Sequence, residues 1–282
     1  MLHKILIGLF LPACVGVMFA QAPAITPGGT VNAASNAASQ PVAPGGLVSI
    51  YGSNFAAGLA LASTVPLSTS LSNTSVSING ISVPLDFVSD GQINAQVPFG
   101  VLPPGMNGSV NVVVTNGNTP SPPQPVVINQ TAPGVFGDAN LTPVYAIAYF
   151  GVATDPRFLQ YAWPPNTIPN FTTSFAKPGD VLTILATGLG PVTPTEPDGT
   201  APAYDSNPQV HNTIATPTIL LGNPPTQVPA ILLFSGLSPQ FPGVDQVNIQ
   251  IPQGAPTGNA VPLYIQIGGV TSPAVYIGIT AQ

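Results

Sequence analysis

Apolar and polar residues alternate with a period of two along most of the chain, in short runs that end at proline or glycine. One run, QINAQVP (residues 92–98), sets amide side chains against apolar ones and returns as QVNIQIP (residues 246–252). Alternate residues of a β-strand point to opposite faces, so each run predicts a strand with one buried and one solvated face. The 36 prolines and 29 glycines among 282 residues disfavour long helices. The pattern therefore predicts an all-β protein.

The two halves of the chain repeat the same order of elements. APGGLVSIYGSNF (residues 43–55) corresponds to KPGDVLTILATGL (residues 177–189), and each has a Pro-Gly turn followed by an alternating strand. A glycine, Gly52 or Gly188, lies near the end of that strand, where the chain bends away. A hairpin, the repeated heptad and a final hairpin then follow in both halves.

Turn signals divide each half into about seven short strands at roughly 8–12-residue spacing, which is typical of an immunoglobulin-like β-sandwich. In the first hairpin, Asn79-Gly80 favours a type I′ turn because both central residues of that turn need a positive φ. The sequence thus predicts two immunoglobulin-like β-sandwich domains in tandem.

The halves differ in length at one place. The interval from Pro44 to Gln92 is 48 residues, whereas that from Pro178 to Gln246 is 68 residues. Much of the excess lies in a proline-rich loop at residues 190–212. Between the halves, a segment rich in aromatic residues contains the single Trp, and we expect it to form a packed aromatic bridge rather than a bare linker.

These observations predict five parts of the chain. They are a signal peptide at 1–22, an N-terminal extension at 23–40, a first sandwich at 41–130, the bridge at 131–172 and a second sandwich at 173–282.

The first residues have the pattern of an export signal. Lys4 precedes an apolar run that is too short for a good membrane span, and AQA (residues 20–22) offers a cleavage site. Cleavage after Ala20 and a lipobox-like LPAC (residues 11–14) are the alternatives. The single cysteine, Cys14, lies inside this signal, so the mature chain has no thiol or disulfide chemistry. We expect a secreted, extracellular or cell-surface protein without a membrane span, with the periplasm as the alternative location.

Charge is scarce and mostly negative. After the signal, Arg157 and Lys177 are the only basic residues, against nine acidic ones. Binding to nucleic acid is excluded because it needs clustered Lys and Arg, and binding to an anionic membrane surface is disfavoured for the same reason.

Several motifs point to a known family. At PGGLVSIYGSNF (residues 44–55) the chain resembles an IPT/TIG domain, an immunoglobulin-like module. With GGTVNAAS (28–35), INAQVPF (93–99), TAPGVF (131–136) and KPGDVLTILATGLGPVTP (177–194), it is similar to the paralogous family of uncharacterised C-terminal domains abundant in Solibacter and related acidobacteria. The resemblance implies an exported or surface-associated protein and supplies no catalytic residues.

No catalytic constellation is evident. His211 is the only histidine outside the signal; it lies in the loop at 190–212, and no serine has a G-x-S-x-G setting, so we expect a surface histidine. Glu196 and Asp198 are a near carboxylate pair, but solvated acids are favoured over glycosidase chemistry.

Metal binding has weak support. Asp198, Asp205 and Asn207 are weak calcium candidates, because their spacing matches no EF-hand pattern and ordinary turn acids are favoured. Asp180 follows a Pro-Gly pair and is expected to cap that turn. We therefore expect no cofactor.

The remaining candidates are the amide rows and the single tryptophan. A solvated strand face is the favoured interpretation of the rows, sugar binding is an alternative, and edge-to-edge self-association is another. The candidate ligand-binding residues are Gln92, Asn94, Gln96, Gln246, Asn248, Gln250 and Trp163.

Taken together, the sequence predicts an exported, non-enzymatic structural or adhesion module at the cell surface. The alternative is a carbohydrate-binding, lectin-like protein. The expected partners are cell-surface polysaccharide or other exported proteins.

Overall fold

A computed structural model describes residues 21–203 and 210–281. Every regular element in these two ranges is a β-strand, as the alternation and the many prolines predict. The strands are β1 (Ala24–Asn32), β2 (Leu47–Ser53), β3 (Ala60–Leu61), β4 (Ser70–Leu71), β5 (Thr74–Ile78), β6 (Ile81–Ser82), β7 (Leu85–Val88), β8 (Gln92–Gln96), β9 (Gly108–Asn116), β10 (Thr119–Pro120), β11 (Gln124–Ile128), β12 (Gly134–Val135), β13 (Gly137–Asp138), β14 (Tyr145–Ala146), β15 (Ala148–Phe150), β16 (Val181–Thr187), β17 (Val192–Thr193), β18 (Asn212–Thr213), β19 (Thr218–Leu221), β20 (Val228–Pro229), β21 (Ile231–Leu237), β22 (Asp245–Gln250), β23 (Gly258–Ile267), β24 (Val270–Thr271) and β25 (Val275–Ile279).

The strands form two sandwiches, each made of two sheets. In the first module, one sheet has the order β1-β2-β8-β7-β3 and the other the order β10-β9-β5-β4, with β11 on β9 and β6 on β5. In the second module, the orders are β12-β16-β22-β21-β18-β17, with β15 on β16, and β13-β14-β25-β23-β19-β20, with β24 on β23. The predicted fold class, two immunoglobulin-like sandwiches in tandem, is confirmed.

Each module has its own core between its sheets. Ile50 and Ile93 of one sheet meet Val112 of the other in the first core. Ile184 and Ile277 belong to the second core in the same way. Burial of these β-branched side chains is the main stabilising term, at roughly 25 cal/mol per Å² of apolar surface removed from water.

The repeated heptad is the same strand in both modules. β8 lies between β2 and β7, and β22 lies between β16 and β21, so each is an inner strand of its sheet. The predicted hairpin turn is also confirmed: Asn79 and Gly80 have φ values of 53° and 78° and connect β5 to β6.

Two segments that the sequence division places outside the sandwiches contribute strands to them. The predicted N-terminal extension contains β1, which pairs antiparallel with β2 in the first sandwich. The bridge contains β12 to β15; β12 and β15 pair with β16, and β14 pairs in parallel with β25. Both segments add strands because the sheets otherwise end in open edges with unpaired backbone groups.

Within the two described ranges, no helix is long and apolar enough to cross a membrane. The predicted signal peptide lies outside those ranges, apart from its last two residues.

Candidate functional site

The first two amides of each heptad form the same side-chain hydrogen bond. Gln92 Nε2 donates to Asn94 Oδ1 at 2.9 Å, and Gln246 Nε2 donates to Asn248 Oδ1 at 3.0 Å. All four residues are half-buried and lie on the outer face of an inner strand. The sequence prediction that these residues line up on one face is therefore correct.

The strands beside each Asn are also alike. Asn94 is aligned with Ser49 of β2 on one side and with Phe87 of β7 on the other. Asn248 is aligned with Thr183 of β16 and Phe234 of β21. A register irregularity precedes both phenylalanines, between residues 85 and 87 and between 232 and 234. Each module thus presents a hydroxyl, an amide and a phenyl ring in one row across its sheet.

The third amide of each heptad bonds to backbone and not to its neighbouring amide. Gln96 is only 1% exposed; its Nε2 donates to Gly45 O at 3.1 Å, and its Oε1 accepts from Gly199 N at 2.6 Å. Gln250 Nε2 donates to Gly179 O at 3.0 Å. Both amides hold backbone in place, and Gln96 is too buried to lie on an open ligand-binding surface.

Edge-to-edge association through the heptads is also wrong. β8 and β22 each have a hydrogen-bonded neighbour on both sides, so their backbone groups are already paired. A second chain can add only to the outer strands of these sheets.

A cavity of about 200 Å³ opens beside the second amide pair. Its lining consists of Gln246, Asn248, Phe234, Leu237, His211, Pro202, Val210 and Pro239. A Cβ built on Gly236 would lie 2.8 Å from Phe234 Cζ and 2.2 Å from His211 O. The lack of a side chain at Gly236 therefore lets the phenyl ring lean over the strand, next to Gln246, which pairs with Gly236 in register.

His211 is not the surface histidine that the sequence suggested. It is 5% exposed, its Nδ1 lies 2.9 Å from Pro194 O, and its Nε2 lies 3.1 Å from Glu196 Oε2. Both ring nitrogens face oxygen atoms of the loop at 190–212, so the ring holds that loop close to the first residue of β18.

The loop at 190–212 joins the two modules. Gly199 O accepts from Leu67 N at 2.8 Å, and Asp198 Oδ1 accepts from Phe99 N at 2.9 Å. Together with the Gln96–Gly199 bond, these contacts link the loop of the second module to the first module. We call these three hydrogen bonds the clasp bonds. The loop that carries much of the length excess found in the sequence thus contributes contacts between the modules.

A second set of contacts lies at the strand ends. Leu47 N donates to Thr187 Oγ1 at 2.8 Å, and Asn32 Nδ2 donates to Ala132 O at 2.9 Å. Thr187 Oγ1 in turn donates to Gly243 O at 2.7 Å. We call the three clasp bonds and these contacts the inter-module junction.

The calcium candidates do not assemble in the described structure. The Asp198 carboxylate accepts a hydrogen bond from the backbone of the first module. Asp205 and Asn207 lie outside the described residues. Among the residues that are described, no group of three or more acidic, histidine or cysteine side chains is placed to hold a metal ion.

Trp163 is a core residue and not an exposed sugar platform. It is 1% exposed, its Nε1 donates to Ala146 O, and its ring stacks on Tyr161 with centroids 4.5 Å apart. The indole is therefore not placed to stack on a sugar ring at the surface, because the bridge packs its aromatic side chains against the second sandwich.

The chain's only arginine has a role that the sequence did not reveal. Arg157 forms a bidentate pair with Asp180 at 2.8 Å and also contacts Asp155 at 2.7 Å. The hydrogen bond from Arg157 is the main reason that the pKa of Asp155 is lowered. Asp180 Oδ2 also accepts from Lys177 N at 2.9 Å, which confirms that Asp180 caps its turn.

Asp245 is a second titratable residue whose environment the sequence did not reveal. It precedes the repeated heptad and is 4% exposed, with Oδ2 accepting from Leu189 N at 2.9 Å. In the first module the aligned Phe55 N donates to a backbone oxygen, that of Asp90. Burial raises the pKa of Asp245 to about 7, against the opposing effect of the N–H groups of Leu189 and Gly188.

Comparison with known proteins adds one specific match. No curated protein matches the chain in sequence. Among solved structures, domains 5–6 of the S-layer protein SbsC are 12% identical, with a TM-score of 0.22 and coverage of 92% of this chain and 99% of that chain. The C-terminal domain of the Streptococcus agalactiae AgI/II polypeptide BspA is 8% identical, with a TM-score of 0.19 and coverage of 92% and 100%. TM-scores this low carry no argument.

Residues 30–128, by contrast, match the IPT/TIG domain, so the first sandwich contains an IPT/TIG domain.

Proposed function

We propose that this chain is an exported, non-enzymatic structural or adhesion module that works at the cell surface. The observation that supports it best is the inter-module junction, which joins the two sandwiches by backbone and buried side-chain hydrogen bonds. A joined pair of sandwiches keeps a fixed reach and a fixed relative orientation, which a hinged pair does not. The IPT/TIG domain at residues 30–128 fits a structural or adhesive role.

The described residues offer little support for catalysis. The His211 ring is held by Pro194 O and Glu196, with both of its nitrogens engaged. Asp155 and Asp180 are paired with Arg157. These groups stabilise loops. Glu196 also accepts a hydrogen bond from Thr200 Oγ1, but His211, which would have to act as the base, is bonded to the carboxylate and to Pro194 O and not to that hydroxyl.

The test of this proposal uses intact source cells with and without the gene. We expect the protein to be cleaved by added protease on intact cells, and the deletion strain to lose envelope integrity or attachment. Complementation with Gly199→Val, which disrupts the junction, should fail to restore the phenotype. Gly80→Val, at an open turn with the same φ, should restore it. Turnover of polysaccharide or peptide substrates by the purified chain would contradict the proposal.

A second candidate function, carbohydrate binding, has one specific observation in its favour. Gln246 and Asn248 lie next to Phe234 in the lining of the cavity on the outer face of the second sandwich. Binding sites combine apolar walls with a few placed polar groups, and this cavity has that composition. A broad glycan panel tests this candidate: silence across the panel would overturn it.

A further inference from the structure

Asp86 is a half-buried carboxylate that the fold leaves without a partner. It is the extra residue at the register irregularity of β7, between Leu85 and Phe87, where a bulge re-aims a side chain. Its backbone oxygen accepts from Ala62 N at 2.8 Å, but its side chain forms no hydrogen bond or ion pair within the described residues. Burial raises the pKa of Asp86, and no neighbouring group opposes that effect. The carboxylate therefore lacks a stabilising donor or cation.

A cleft of about 230 Å³ between the two modules has Asp86 in its lining. The other lining residues are Ala62, Ser63, Thr64, Val65 and Leu67 of the first module and Gln240, Phe241 and Pro242 of the second. Phe241 is 57% exposed, so much of its ring is open to a ligand. Leu67 also donates the clasp bond to Gly199 O, so the cleft borders the inter-module junction. Its volume is below the usual range for drug-sized ligands and suits a single side chain.

The lining of this cleft favours a positively charged group. Asp86 is its one charged residue, and the face of a phenyl ring such as that of Phe241 also attracts a cation. Outside the predicted signal, the chain has two basic residues, Arg157 and Lys177, against nine acidic ones, and neither lines the cleft. A cation for Asp86 therefore comes from a partner, and the net negative charge of the chain favours its approach.

The chain shows elsewhere which cation combines these two contacts. Arg157 forms two hydrogen bonds to Asp180 at 2.8 Å, and its Cζ lies 4.0 Å from the centroid of the Phe150 ring. A planar guanidinium can bond to a carboxylate with two N–H groups and also stack on an aromatic ring, whereas an ammonium is a compact point charge. In the cleft, the amide oxygen of Gln240 is a further acceptor for a group with five N–H donors.

From these observations we infer that the cleft binds an arginine side chain of a partner protein. The guanidinium pairs with Asp86, lies against Phe241 and donates to Gln240. Exposed apolar side chains of the adjoining segment, Leu59 and Leu61, extend the contact surface beyond the cleft, which favours a polypeptide over a free amine. This site goes beyond the structural or adhesion role proposed above, and its loss would leave that role in place.

The experiment titrates three peptides into the isotope-labelled chain and follows its backbone amides by NMR. The peptides, acetyl-Gly-Leu-X-Leu-Gly-amide, differ only at X, which is arginine, lysine or citrulline, the neutral analogue of arginine. We expect the arginine peptide to shift the amide signals of Ala62, Asp86 and Phe241. At low ionic strength, where charges are least screened, it should bind about tenfold more tightly than the citrulline peptide and about threefold more tightly than the lysine peptide.

Three variants locate the site. Asp86→Asn removes the charge at nearly constant shape and should lower the affinity for the arginine peptide about tenfold. Phe241→Leu removes the ring and should lower it about threefold. Asp90→Asn changes the net charge by the same amount at an exposed position outside the cleft lining and should leave the affinity unchanged. The amide spectrum of each free variant checks that it folds.

Each contrary result overturns a different part of the inference. Equal affinity for the arginine and citrulline peptides would overturn recognition of a cation, and equal affinity for arginine and lysine would overturn the guanidinium as the recognised group. Signal changes away from the cleft, or equal loss of affinity in Asp86→Asn and Asp90→Asn, would overturn the location. Absence of binding by all three peptides would overturn the inference as a whole. The cell-surface role is tested on intact cells, so its failure is distinguishable from failure of this site.

Discussion

Gln96 of the first module is hydrogen-bonded to Gly199 of the second, with 2.6 Å between Gln96 Oε1 and Gly199 N. The same side chain donates to Gly45 O, so one buried amide ties the end of β8 to its own module and to the loop of the other. A residue that belongs by pattern to a solvated row is thus a central part of the inter-module junction.

Replacing this amide should weaken the whole protein. Gln96→Leu leaves Gly199 N and Gly45 O without their partner, and each unpaired buried group costs roughly 1–3 kcal/mol. We expect the free energy of unfolding in urea to fall by about that amount or more, with the two modules unfolding in separate transitions. Gln92→Leu, on the same strand face but bonded to Asn94 within its own module, serves as the control. Equal losses in the two variants would show that Gln96 does not couple the modules.

A side chain at Gly199 should destabilise the protein. Its φ is +78°, and an added Cβ would lie 3.1 Å from Pro84 Cγ and 3.2 Å from Leu67 O. Gly80 also has a φ of +78°, with open space around it. Gly80→Ala should therefore cost about 1 kcal/mol from the backbone conformation alone. Gly199→Ala should cost roughly 1–3 kcal/mol more, because its neighbours must move. Urea unfolding curves of the two variants measure the difference, and equal midpoints would contradict it.

Asp245 should make stability depend on pH. Its pKa rises from 3.8 in the unfolded chain to about 7 in the folded protein. The folded state therefore holds the proton more tightly, and the free energy of unfolding should fall as pH rises from about 4 to about 7. A shift of this size corresponds to a change on the order of 4 kcal/mol.

Asp245→Asn should flatten that dependence, since the amide cannot lose a proton in this range. Thermal unfolding from pH 4 to pH 8 is the measurement. Asp90→Asn, at an exposed position of the preceding module, leaves Asp245 in place and should retain the slope. An unchanged slope in the Asp245 variant would assign the dependence to another group.

Trp163 should report on unfolding of the second module and not on ligands. The indole is 1% exposed and hydrogen-bonded to Ala146 O. We expect weak quenching by acrylamide, a red shift on unfolding and no spectral change when saccharides are added. Quenching as strong as in the unfolded chain would show that the bridge does not bury this ring.

Residue patterns were most informative where interactions are local. Alternation placed Ile93 and Ile249 in the cores, and the Asn79-Gly80 turn followed from the positive φ that a type I′ turn requires. The bidentate pair of Arg157 and Asp180 was not predictable in this way, because 23 residues separate the two side chains along the chain.

The candidate site shows the same division. The amides of the second heptad were identified from the sequence, and they do share one face. Phe234 and Gly236, which make that face concave, carry no local signal, because their importance depends on the register between β21 and β22.

The sequence by itself determined the all-β class, the duplication and the strand that the two heptads form, since each depends on short-range alternation and turn residues. Only the tertiary structure decided which polar residues are buried. His211, Gln96 and Asp245 lie under loops or beside strand ends that come from distant parts of the chain. Burial depends on what packs above a residue, and no local pattern specifies that.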